Sequence, residues 1–139
     1  KSNYIDSPNT PLYPFGHGLS YTTFEYSEIK LSNNKVRESE ILKVSSIITN
    51  TGEYDGHEVV QLYIHDKVAS ITRPVKELKD FKKIFLRKGE SKTVTFEISS
   101  DNLKFYNNGE LMIESGEFEI AISGTSDFEF NKTFNLTLD

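Results

Sequence analysis

Cysteine and tryptophan are both absent from these 139 residues, and methionine occurs once. Without cysteine there is no disulfide framework and no Cys-ligated zinc. The compartment stays open, because a chain of this length buries a core that needs no covalent staple. Proline is scarce at 4, and Pro8, Pro11 and Pro14 all fall near the start. No apolar run approaches the ~20 residues that a helical membrane span needs, and no signal-peptide pattern is visible. Positive charge is in the minority, with 16 Lys plus Arg against 21 Asp plus Glu and a net charge of −5. That balance argues against a nucleic-acid partner, whose phosphates call for clustered cations. The basic run Lys79, Lys82, Lys83, Arg87, Lys88 is interrupted by Asp80 and reads as a solvated strand face. The first residue is Lys1 rather than Met, so the chain is expected to be a piece of a longer polypeptide.

Aromatic side chains are well supplied, with 10 Phe and 7 Tyr. Together with the length they suit one soluble domain with a real core, or one domain plus a tail. Residues 1–19 read as an extended arm from a missing upstream domain, since Pro11 and Pro14 exclude helix and Gly16 and Gly18 permit turns around His17. Residues 20–139 read as the folded body. There, period-two patterns dominate. Strands are expected over Thr23–Leu31, Ile41–Asn50, Glu58–Asp66, Lys92–Ser99, Leu111–Ile113, Phe118–Ser123 and Phe128–Leu138. Ser32-Asn33-Asn34, Asn107-Asn108-Gly109, Gly116 and Gly124 separate them as turns. Val75, Leu78, Phe81 and Phe85 fall near helical spacing, whereas Ile84 and Leu86 fit a strand. Periodicity slightly favours a short helix over residues 75–86. About seven or eight short strands with regular turn signals define an all-β chain, an antiparallel β-sandwich of immunoglobulin type.

The residues that carry chemistry elsewhere are not arranged for it here. Retaining glycoside hydrolysis needs two carboxyl groups ~5–5.5 Å apart. Most acidic residues instead sit at turns or, like Glu97 and Glu119, on the polar side of alternating strands. His17, His57 and His65 lack metalloprotease spacing. His65-Asp66 reads as a strand-end polar pair rather than a metal site. Neither a phosphate-cradling Gly-rich loop nor a Gly-x-Ser-x-Gly elbow occurs. Asn131-Lys132-Thr133 and Asn135-Leu136-Thr137 match the glycosylation pattern by chance within a strand. Tyr54, Tyr63 and Tyr106 are candidates for exposure, and Phe105-Tyr106 for a corner tyrosine bonded to backbone. No catalytic, cofactor-binding or metal-binding residue is expected.

The stretch from Pro11 to Ser27 closely resembles the segment that opens the C-terminal fibronectin type III-like domain of family 3 glycoside hydrolases, the β-glucosidases and β-xylosidases. Further matches follow in the family's order. They are Ile48-Thr49-Asn50-Thr51-Gly52, His57 to Ile64, Ala69 to Phe81, Leu86 to Ser91 with Val94-Thr95-Phe96, and Gly116 to Ile120. Each is weak alone, and the ordered set is specific over roughly residues 11–124. His17 and Asp80 depart from the family pattern, Asp80 standing where Gly is frequent. The resemblance tips residues 75–86 toward a strand. It implies a parent with an α/β barrel and an α/β sandwich upstream, acting as a retaining exo-β-glycosidase, first of all a β-glucosidase. The catalytic nucleophile and acid/base of such enzymes lie outside this sequence.

On that resemblance the fragment is a non-catalytic structural domain. It would buttress the upstream catalytic domains of the same polypeptide and, through a loop, shape the active-site rim. Tyr13, Pro14, Phe15, Tyr21, Arg73 and Pro74 are the candidate interdomain interface, with Arg73 suited to pairing a neighbouring carboxylate. No cofactor, nucleic acid or membrane is expected as a partner. The parent is expected to be periplasmic or secreted. Two alternatives stand beside this reading: a carbohydrate-binding module with weak glycan contact, against which the lack of tryptophan counts, and a generic protein-interaction sandwich.

Overall fold

Alternation along the strands decides which side of each is buried. The computed structural model describes residues 22–68 and 73–139. The strands are β1 (Phe24–Tyr26), β2 (Lys30–Leu31), β3 (Lys35–Arg37), β4 (Leu42–Asn50), β5 (Gly56–Asp66), β6 (Glu77–Leu86), β7 (Ser91–Ile98), β8 (Phe105–Asn107), β9 (Glu110–Met112), β10 (Gly116–Ser123) and β11 (Lys132–Thr137). On β4 the buried series is Leu42, Val44, Ser46, Ile48 and Asn50. On β5 the inward series is Val60, Leu62, Ile64 and Asp66, as the alternation predicts, and Tyr63 is buried as well from the opposite face.

Two sheets face each other. One holds β1, β2, β4 and β7, and the other runs β3-β11-β10-β5-β6. The core between them joins Val44, Ile48, Phe96 and Ile98 of the first sheet to Leu62, Ile64, Phe118, Ile120 and Phe134 of the second. Phe118 and Phe134 stack with ring centroids 5.3 Å apart. Burying side chains of this size stabilises the fold by roughly 1.5–3 kcal/mol each.

Four features differ from the sequence reading or extend it. The first expected strand is broken into β1 and β2, both paired with β4. At the break, Ser27 Oγ accepts the Ile47 N–H at 2.9 Å and the Ser27 carbonyl accepts the Ser46 hydroxyl at 3.0 Å. The short β3 runs parallel to β11, whereas the other pairings described are antiparallel. Residues 75–86 form a strand rather than a helix from Glu77 onward. Residues 128–131 lie outside β11, although their aromatic alternation suggested strand.

A small hairpin of β8 and β9 stands apart from both sheets. Asn108 and Gly109 form its turn with φ of 55° and 83°, the left-handed pair that a two-residue hairpin demands. Asp80 does not take a left-handed conformation among the described residues, so the absence of Gly there is harmless.

Candidate docking face

The outer face of the five-stranded sheet has two halves of different character. One half is roofed by the chain itself. Phe128 packs on Tyr63 with ring centroids 4.9 Å apart, and Phe130 stacks over His65 at 6.3 Å. Lys76 clamps this roof: its Nζ lies 4.3 Å from the Phe128 ring centre and donates to the Ser126 carbonyl at 2.9 Å. Beneath the roof, the Tyr63 hydroxyl donates to Gln61 Oε1, and Gln61 Nε2 donates to the Gly124 carbonyl at 3.0 Å.

The other half is bare and apolar. Register pairs His57 with Phe85, Val59 with Lys83, Gln61 with Phe81 and Tyr63 with Leu78. These are outward positions of β5 and β6, because Val60, Leu62 and Ile64 point inward. A bulge between Leu62 and Tyr63 in the β5–β6 register skips Lys79. It thereby turns Leu78 to the same face as Phe81 and Phe85. Phe81 is 59% exposed and Phe85 48%, with Val59 and Leu78 exposed beside them. His57 leans on Phe85 at 4.9 Å. The helical spacing of Leu78, Phe81 and Phe85 was therefore the signature of an outward strip on a bulged strand.

Of the interface residues expected from sequence, Tyr13, Pro14, Phe15 and Tyr21 lie outside the described residues. Arg73 and Pro74 lie just before β6, and Pro74 is exposed. The Arg73 side chain is only 7% exposed; it pairs with Asp66 at 3.5 Å and donates to Glu77 Oε1 at 2.8 Å. Its guanidinium carbon lies 4.8 Å from the Phe105 ring centre. Asp66 also accepts the Val68 N–H at 3.0 Å. Arg73 is thus held by carboxylates of this domain, and it ties the end of β5 to the start of β6 and to the β8–β9 hairpin. Alternation sends His65 to the face opposite Asp66, with Nε2 4.0 Å from Glu119 Oε1.

Two further polar sites do structural work. Asn50 is fully buried and uses every hydrogen-bonding position of its amide. Its Nδ2 donates to the Tyr54 and Leu86 carbonyls at 2.8 and 3.0 Å. Its Oδ1 accepts from Thr22 Oγ1 at 2.7 Å and the Gly52 N–H at 3.0 Å. This explains the Asn-Thr-Gly motif as a lock on one end of the sandwich. Near the same end, Tyr26 donates to Glu58 Oε2 at 2.8 Å. A Cβ on Gly124 would come within 2.4 Å of that oxygen, so only glycine closes over the pair. Burial pushes the Glu58 carboxyl up to about 7, opposed by hydrogen bonds from Tyr26 and the Val59 N–H. Burial and the neighbouring carboxylate push the Tyr26 hydroxyl above the phenolic range. Tyr106, by contrast, is 70% exposed, and Phe105 is the buried member of that pair, so Tyr106 is no corner tyrosine.

The fold is an immunoglobulin-type sandwich with a closed core and an apolar strip left exposed on one outer face. Residues 58–126 match the sequence model of the fibronectin type III-like domain. A putative β-xylosidase of Formosa agariphila is 48% identical over 134 residues, 96% of this chain and 18% of that protein. Thermostable β-glucosidase B of Acetivibrio thermocellus is 48% identical over 118 residues, 84% of this chain and 16% of that protein. A solved β-glucosidase of Erythrobacter marinus superposes with a TM-score of 0.78 at 38% identity, covering 98% of this chain and 18% of its own. The chain therefore spans under a fifth of the length of these relatives. It belongs to the fibronectin type III-like domains found in β-glucosidases and β-xylosidases of glycoside hydrolase family 3.

Proposed function

We propose that this chain is a non-catalytic structural domain of a β-glycosidase, first of all a β-glucosidase, supporting catalytic domains carried elsewhere on the same polypeptide. One observation carries the reading. A complete sandwich that accounts for under a fifth of glycosidase relatives leaves bare an apolar strip on one outer face. Monomeric surfaces seldom keep such a strip without use for it. The half-buried pair Tyr26–Glu58 gives no contrary sign, because a general acid must face its substrate and Gly124 packs against the Glu58 carboxyl.

The interface extends, on this reading, over Tyr13, Pro14, Phe15 and Tyr21 of the arm and over Arg73 and Pro74. Arg73 serves it by fixing the backbone before Pro74, its own charge being neutralised by Asp66 and Glu77. On the same reading a loop of this domain shapes the active-site rim. The purified chain is expected to release no nitrophenol from aryl β-glucosides or β-xylosides. Sustained release that scales with the chain's concentration would overturn the proposal.

A further inference from the structure

We infer that the strip Val59, Leu78, Phe81 and Phe85 seats another folded part of the same polypeptide, through an apolar surface edged by carboxylates. The inference rests on the reading of the chain as one domain of a larger glycosidase. Four observations point the same way.

First, the strip is continuous with ground that the chain already covers. Phe128 and Phe130 roof Tyr63 and His65, and Leu78, the register partner of Tyr63, begins the bare half. The face is of the kind that aromatic side chains settle on. Second, β6 is an edge strand of 10 residues. A long edge carrying outward phenylalanines invites unwanted pairing unless something covers it.

Third, the local charge is opposite to that of the domain. The chain carries −5 overall, yet Lys83 stands on the strip opposite Val59, with Arg87 just past the end of the same strand; Lys82 turns the other way and donates to the Thr95 carbonyl. Among the described residues neither Lys83 nor Arg87 enters an ion pair. A covering surface with carboxylates at its rim satisfies them. Fourth, Thr22 brings the chain into the sandwich at the strip's own end. Its Cγ2 crowds Gly56, the residue before His57. Over four-fifths of the relatives' length lies outside the matched region, so ample chain is available to occupy the face.

Hydroxyl-radical footprinting of the full polypeptide and of this chain alone tests the inference. Phe81 and Phe85 are expected to label at least fivefold more slowly in the full polypeptide, and Lys83→Glu to restore part of that labelling. Equal labelling in both contexts would overturn it. So would labelling that falls only on dimerisation, which assigns the strip to a second copy, or only on adding β-glucan oligosaccharides, which assigns it to a glycan. Hydrolysis of aryl β-glucosides by the same full polypeptide is scored separately. Its absence would sink the glycosidase reading, whereas its presence with unprotected phenylalanines would sink the seat alone.

Discussion

At the scale of single residues, polar groups inside this sandwich act as locks, and one of them is pH-sensitive. Glu58 holds its proton up to about pH 7 in the folded chain, against an ordinary value of 4.5 when unfolded. Between these values the folded state binds the extra proton. Stability from this group is therefore full below pH 4.5 and is lost as pH rises through about 7, by on the order of 3 kcal/mol. Glu58→Gln keeps an acceptor for Tyr26 and carries no charge. The variant is expected to be more stable than the parent sequence at pH 8 and nearly equal at pH 4.5. Urea midpoints at the two pH values measure it, and an unchanged difference between them would contradict the assignment. This pair was not legible beforehand, because Tyr26 and Glu58 are 32 residues apart and only the packing of sheet on sheet joins them. Asn50 was different. Its motif was legible as a turn, though the fourfold hydrogen bonding that makes it indispensable was not.

At the scale of elements, β6 is the instructive case. Ile84 and Leu86 are buried while Phe81 and Phe85 lie on the outside, so one strand carries apolar residues on both faces. A pattern of that kind has no clean period of two, and the bulge opposite β5 lends it a helical look. The two faces respond differently to truncation. Ile84→Ala is expected to cost the isolated chain about 2–4 kcal/mol, as large-to-small changes in cores do. Phe81→Ala is expected to stay within ~0.5 kcal/mol, as exposed positions do. Chemical denaturation of both variants decides between this face assignment and a helix, which would bury both. Strands such as β4, β5 and β7 were readable because alternate positions carry buried apolar side chains: Val44 and Ile48 on β4, Val60, Leu62 and Ile64 on β5, and Val94, Phe96 and Ile98 on β7. The three-residue β3 was not readable. Val36 is its one buried side chain, and its partner β11 lies about a hundred residues away. Phe128 and Phe130 misled because alternation marks a side, not which side, and theirs is a roof outside the sheet.

At the scale of the whole molecule, a finished core meets an unfinished surface. The cluster between the sheets draws on both layers from Ile29 to Leu136, so the chain holds what it needs to fold alone. It is expected to unfold in one cooperative transition, with circular dichroism and tyrosine fluorescence sharing a midpoint. Any body that binds only the folded form raises that midpoint by mass action. The strip makes the two contexts separable. Phe81→Ser with Phe85→Ser removes exposed apolar area and leaves the core untouched. In the chain alone the thermal midpoint is expected to move by no more than ~2 °C. In the full polypeptide the same change is expected to release this domain as a separate, earlier transition in scanning calorimetry. A large drop in the chain alone would mean that the phenylalanines serve the domain's own core. A full polypeptide that still unfolds as the unaltered one does would mean that the domain is held by other surfaces, and the strip would lose its claim to join this sandwich to its parent.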